Sequence, residues 1–354
     1  MMTCTLDLYT DYLLSSTGPT TATGLSRLLD GALSHDRITR WLSSTPCGPA
    51  QVWRQAKPLI RQAEALRGAE DFAVLIVDDS VLEKAHTDAN ELICTHWDHR
   101  QQRYVKGLNF VTLLYQAADV ALPIAVELVR KTVPVYQPKT QKTSYQSPFT
   151  KNEYLQQMLR VAQQQVAYRY LLADSWYASA ENMTLVRALG HHFLFALESS
   201  RTVALNEADR AQGWFQSVQS LVFPATQPLR VYLRAVQQAV LVTRQVFTNQ
   251  DGSQGVLYLV SSDTDLDQAQ MTTIYQRRWK VEEYHKSLKQ NASMAKSPTK
   301  TLATQATHFF AAVLAYTKLE VLKLKCGIGH FRLKAQLYAV GLKAMYHQLG
   351  QLRA

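Results

Sequence analysis

Residues 72–80 read FAVLIVDDS, an unbroken apolar run closed by two aspartates and a serine. A strand with one wet face alternates, so a continuous run of this length implies a strand covered on both faces. Similar runs follow at 108–116 (LNFVTLLYQ), 122–129 (LPIAVELV), 170–178 (YLLADSWYA) and 192–198 (HFLFALE). Helical patterns occupy 153–168 and 180–190 between them. Strands that alternate with helices and need cover on both faces predict an α/β core. Two of the runs end in aspartate, and strand ends are where open α/β sheets build their sites.

The flanks differ from this core. Residues 1–70 read as helical, a candidate DNA-binding domain. In GLSRLLDGALSHDRITRWLSS, two short helical patterns surround a Gly-Ala-Leu-Ser turn. Ser34 or His35 starts the second, Ser34 being the better cap; Arg37 and Arg40 project from its start, and Ile38, Trp41 and Leu42 face inward. Both a helix-turn-helix and an ordinary helical hairpin satisfy that pattern. Segment 136–152 is polar and Pro-broken and reads as a loop. Residues 200–262 are β-rich, with a hairpin-like turn at 249–252. One long helix is expected from 266 to 290, capped by Ser262, Asp263 or Asp265. Residues 302–348 read as helical with lysines on the outer faces.

No stretch of about 18 apolar residues is present, so a membrane span is not expected. The N-terminus carries acids and no basic segment, unlike a signal peptide. Cys4, Cys47, Cys94 and Cys326 are far apart and form no CxxC pair, which argues against a zinc site or a disulfide scaffold. A reducing, cytoplasmic setting fits. The formal charge is +10. From Thr272 onward there are 14 Lys and Arg against three Glu, while the first 70 residues are nearly balanced. A polyanion would be drawn to the last quarter of the chain.

That quarter opens with IYQRRWKVEEYHKSLKQ (274–290). At 3.6 residues per turn, Tyr275, Arg278, Glu282, Lys286 and Lys289 fall in one narrow stripe, bordered by Trp279. Ile274, Val281, Tyr284 and Leu288 collect opposite and pack on the core. A solvated face stitched by a Glu282–Lys286 pair has the same spacing. An arginine and lysines beside a carboxylate are also what holds phosphates close to a metal. Asp174 ends a buried strand and could simply cap a turn. Asp78 and Asp79 point to opposite faces of theirs. Only one of them can join Asp174, and alternation alone does not choose.

Tyr275, Arg278, Glu282 and Lys289 meet every spacing of Y-x2-R-x3-E-x6-K, the signature of IS4-type bacterial insertion-sequence transposases of the DDE superfamily. Asp-Asp-Ser at 78–80 and Leu-Ala-Asp-Ser-Trp-Tyr at 172–177 resemble that family's first and second aspartate motifs. The resemblance covers roughly residues 72–300. It implies an RNase H-like catalytic core in two parts (71–199 and 263–300), a β-strand insertion at 200–262, and a basic helical region at 301–354. By resemblance the acid followed by Ser or Thr is the first metal ligand, which favours Asp79 over Asp78. Asp79, Asp174 and Glu282 are then the catalytic set, holding two Mg²⁺ or Mn²⁺ ions. The resemblance implies that Tyr275, Arg278 and Lys289 contact DNA phosphates; Lys286 on the same stripe, and Arg37 and Arg40, are further candidate DNA contacts. Trp214 is the insertion's tryptophan; some relatives stack one on a flipped base, but a core role is expected here.

The expected activity is metal-dependent cleavage of transposon ends in double-stranded DNA, followed by strand transfer into target DNA. A homodimer on DNA and a bacterial, nucleoid-associated setting are implied by resemblance. The rival expectations are a catalytically inactive or domesticated DNA-binding relative, an RNase H-like nuclease without joining, and an unrelated α/β enzyme.

Overall fold

The 72–80 run lies in strand β1 (Val74–Glu83) of the computed structural model, which describes residues 2–45, 47–68, 71–98, 102–139, 141–249 and 251–353. Before it come four helices: α1 (Leu6–Ser15), α2 (Ala22–Leu28), α3 (His35–Ser44) and α4 (Pro49–Ala65). After it come β2 (Ile93–Asp98), β3 (Arg103–Ala117) and β4 (Val120–Leu128). β3 pairs antiparallel with β1 along one edge, and with β2 and β4 along the other.

The chain then makes a two-stranded hairpin, β5 (Val133–Gln137) and β6 (Lys142–Gln146), where the sequence reads as loop. Both strands are largely exposed, so neither carries the apolar run or alternation that marks a strand. α5 (Lys151–Ala162) begins with a capping box between Thr150 and Glu153 and leads to β7 (Tyr170–Ala173). α6 (Ala180–Ala188) connects β7 to β8 (His192–Leu197). β1, β7 and β8 run parallel as neighbours, giving the spatial order β4-β3-β1-β7-β8.

The strands after β8 extend this sheet. β9 (Thr202–Ala204), α7 (Glu207–Gln212), β10 (Gln216–Ser217), β11 (Leu229–Leu233), β12 (Ala239–Thr248) and β13 (Gln254–Ser261) follow in sequence. β13 pairs antiparallel with β8, and the whole forms one eleven-stranded mixed sheet among the described residues. Between β12 and β13 the Gly252 N–H bonds to the Asn249 carbonyl, with Gly252 at φ 82°; residue 250 of the expected 249–252 turn lies outside the described residues.

The expected single helix over 266–290 is two. α8 (Gln268–Gln276) is capped by Asp267, whose side chain accepts from the Gln270 N–H. Asp263 is buried and engaged elsewhere: it accepts from the Tyr170 hydroxyl and pairs with Arg169. α9 (Trp279–Gln290) starts after a tight step, where the N–H groups of Arg277, Arg278, Lys280 and Val281 each bond three residues back. The Arg277 side chain, on helical backbone, donates to the Phe72 and Gln116 carbonyls. The chain closes with α10 (Leu302–Cys326) and α11 (His330–Arg353).

Apolar residues fall into two layers, one on each face of the sheet. Val74, Ile76, Tyr170 and Leu172 point to a layer that includes Val281, Tyr284 and Leu288 of α9 and much of α10. Leu75, Val77, Leu171 and Ala173 point to the other, with Tyr154, Leu155 and Leu159 of α5. The N-terminal helices contribute Tyr9, Leu13, Leu25, Ile38 and Leu42 to the α9 layer, so they share the core of the sheet. Ser34 stands at the N-cap of α3, but its hydroxyl makes no capping bond among the described residues. No helix among the described residues is long and apolar enough to cross a membrane.

Candidate active site

Strand alternation decides where the two aspartates of β1 go. Even-numbered residues of β1 and β7 face the α9 layer. In the parallel pairing, Val74 lies opposite Tyr170 and Ile76 opposite Leu172. The pairing ends there; Asp78 and Asp174, two residues beyond it, keep the same parity, and the charge of Asp174 acts on Asp78. By alternation Asp79 belongs to the opposite face, yet it also lines the cleft and its charge acts on Asp174. Its carboxylate takes a 2.6 Å ion pair from Lys151 Nζ and a 3.1 Å hydrogen bond from the Tyr177 hydroxyl.

α9 brings the third acid. Val281, Tyr284 and Leu288 anchor it through fully buried side chains, which turns Glu282 outward over the strand ends. Arg278 sits between the acids, 4.0 Å from Asp78 Oδ2 and 3.6 Å from Glu282 Oε1. His285, one turn after Glu282, has its Nδ1 3.8 Å from Asp78 Oδ2. One donor atom each from Asp78, Glu282 and His285 lie within 4.8 Å of one another. The Asp174 carboxylate accepts from the Trp176 N–H at 3.1 Å, capping the short 3₁₀ turn Ser175–Tyr177.

A cleft of about 1070 Å³ opens over these groups, lined by Asp78, Asp79, Asp174, Glu282, Lys286 and Lys289 among others. Lys289 Nζ donates to Ser80 Oγ at 2.9 Å, and Lys286 Nζ lies 5.2 Å from the Phe331 ring centroid. The Tyr275 hydroxyl donates to the Ala173 carbonyl at 3.3 Å, tying the start of the stripe to the end of β7. Trp176 and Trp279 present exposed rings, Trp176 on the cleft wall beyond β7 and Trp279 on the wall formed by α9. Arg37 and Arg40 lie outside the cleft, on α3, which packs against α2 and α10. Trp214 is 66% exposed, not in the core, because it follows the left-handed Gly213 that ends α7.

The charge balance is strained. Burial pushes the Asp78 carboxyl up to about 8, and Asp79, Asp174 and Glu282 push the same way against Arg278. Asp174 is also raised, first by burial. Burial holds the His285 imidazole down at about 3, so it is neutral at physiological pH. Carboxylates this crowded are short of positive charge, the condition that a bound cation relieves. A folded-state value above the unfolded one means stability present at low pH and lost as pH rises towards 8. Asp78→Asn should therefore raise the melting temperature of the metal-free chain at pH 8 more than at pH 6. Equal shifts at the two pH values would contradict the burial of a charge here.

Of the residues singled out from sequence, Asp78, Asp79, Asp174, Glu282, Lys286 and Lys289 line the cleft; His285 also lines it and was not among them, its only mark being the Glu-x-x-His spacing. Nothing in the sequence ties Lys151 to Asp79, because their contact depends on how α5 packs over β1.

The family described as DDE superfamily endonuclease matches residues 2–223, well over half of the chain. The chain belongs to the DDE superfamily of endonucleases. A second family, described as the transposase DDE domain, matches residues 150–318 of this DDE endonuclease, spanning Asp174 and Glu282. No curated protein matches it. A transposase or endonuclease function follows, with DNA as the substrate, in a superfamily that generally uses divalent metal.

Proposed function

We propose that this DDE endonuclease is a transposase of the IS4 type, which cleaves the ends of a mobile element and joins the freed 3′-ends to target DNA. The observation that carries this reading is that Asp78, Asp174 and Glu282 line one cleft together with Lys286 and Lys289. The Y-x2-R-x3-E-x6-K spacing supports the subtype. The strand order β4-β3-β1-β7-β8, with β1, β7 and β8 parallel, supports an RNase H-like core.

Asp78, Asp174 and Glu282 would hold the divalent cations; an all-oxygen set of carboxylates suits Mg²⁺ or Mn²⁺. In this reading Asp78 takes the role that resemblance favours for Asp79, since Asp79 is already committed to Lys151 and Tyr177. When bound, such ions stabilise charge on the attacking and leaving oxygens of an in-line displacement. Arg278 bridges Asp78 and Glu282 until the cleft is filled, then turns its positive charge to the phosphoryl oxygens. Lys289, held by Ser80, and Lys286, one turn before it, receive phosphates of the bound strand. Tyr275 keeps the start of this stripe in register with Asp174 through the Ala173 carbonyl.

The test is a labelled end duplex incubated with target plasmid and Mg²⁺. Nicking followed by covalent joining of the 3′-end is expected. Nicking without joining would reduce the protein to a nuclease, and binding alone would make it an inactive relative. Lys289→Ala should lower the slope of log K against log salt by about one; an unchanged slope would remove Lys289 from the phosphate contacts.

A further inference from the structure

We propose that His285 supplies a nitrogen ligand to the cation site at Asp78 and Glu282, so that the cleft favours a first-row ion such as Mn²⁺ over Mg²⁺. The inference rests on the metal-binding reading above and adds to it a fourth residue of different chemistry.

Distance carries the argument first. Nδ1 and Asp78 Oδ2 are 3.8 Å apart. That is too long for a hydrogen bond, which spans about 2.7–3.2 Å. Two bonds of about 2.0–2.2 Å span it at an angle of about 130°, and a small closure brings the pair to the ~3 Å of adjacent octahedral positions. The nearest donor atoms of Asp78, Glu282 and His285 all meet within 4.8 Å, which a small contraction closes around one ion.

The ring's surroundings carry it second. His285 is 6% exposed, and its Nε2 has no hydrogen-bond partner among the described residues. Its other end faces the carboxylates. Phe110 packs edge-on to it, with centroids 5.5 Å apart and planes at 90°, and Tyr284 lies alongside at 5.3 Å. These contacts hold the Nδ1 edge towards Asp78.

Helix geometry supplies a third line. Glu282 and His285 are three apart on α9 and so occupy neighbouring positions on its surface. A Glu-x-x-His pair on a helix delivers an oxygen and a nitrogen to one metal centre in unrelated helical bundles. Adding imidazole to carboxylates shifts preference from Mg²⁺ towards Mn²⁺ and the later first-row ions.

The test is pulsed electron paramagnetic resonance on the full-length protein loaded with Mn²⁺ in the absence of DNA. Directly bound ¹⁴N should modulate the echo, and growth on ¹⁵N-histidine should replace that pattern without altering the chain. His285→Gln should abolish the nitrogen coupling and weaken Mn²⁺ roughly tenfold, with a smaller effect on Mg²⁺. Mn²⁺ that binds in an Asp78-dependent way with no nitrogen coupling would overturn the His285 assignment and leave the carboxylate site standing. Coupling that survives in His285→Gln would overturn it equally. Failure of Mn²⁺ to bind at all would remove both the assignment and the metal-binding reading beneath it.

Discussion

Asp78→Asn lowers metal-dependent nicking by roughly 10³-fold, about 4 kcal/mol of barrier, while Asp79→Asn lowers it by roughly tenfold. The asymmetry follows from strand alternation. Asp78 shares its face with Asp174 and α9, so its loss removes an oxygen from the shared centre. Asp79 lies on the other face, paired with Lys151 and bonded to Tyr177. Its loss frees Lys151 beside the cleft and alters the local field without removing a ligand. Single-turnover nicking of one end duplex with both variants checks this, and circular dichroism confirms that each is folded. The reverse ranking would return the ligand role to Asp79. The large effect should coincide with a more stable metal-free chain, since Asp78 is a buried acid among acids.

Glu320→Ala costs about 2–4 kcal/mol of folding stability, the penalty for stranding the partners of a buried charge. Glu320 is 2% exposed on α10. Lys323 Nζ lies 2.7 Å from Oε2, while His330 Nε2 and the Tyr316 hydroxyl lie 3.0 and 3.2 Å from Oε1. Burial opposes ionisation, but the bond from His330 and the charge of Lys323 outweigh it, and the carboxyl is held below its usual value. His330 Nδ1 in turn meets Ser287 Oγ of α9 at 2.9 Å. The cluster therefore joins α10, the start of α11 and the helix that carries Glu282. Chemical denaturation measures the cost, and Glu320→Gln should lose less because it retains a hydrogen-bond acceptor. A loss below about 0.5 kcal/mol, the level of an exposed pair, would contradict the cluster's role.

Apolar runs made the central strands legible, because strands covered on both faces must be continuously hydrophobic. The stripe on 274–290 was legible for the complementary reason: Val281, Tyr284 and Leu288 fix one side of the helix, and Glu282 is left on the other. The choice between Asp78 and Asp79 was not. Alternation says that they oppose each other, but which face meets α9 depends on the pairing of β1 with β7, a contact across almost a hundred residues. The β5–β6 hairpin escaped because both its faces are wet. The break between α8 and α9 escaped because Arg277 is a good helix former and both Arg277 and Arg278 keep helical backbone; only the bonding tightens to three residues back. Trp214 misled because a tryptophan in a β-rich segment is commonly core, whereas here it sits just past a helix stop.

Anomalous scattering from a crystal soaked in Mn²⁺ is the direct test of the central claim. The account predicts a peak about 2.2 Å from carboxylate oxygens of Asp78, Asp174 and Glu282, on the α9 side of β1. A peak coordinated by Asp79 beside Lys151, with Asp78 still bound to Arg278, would contradict it.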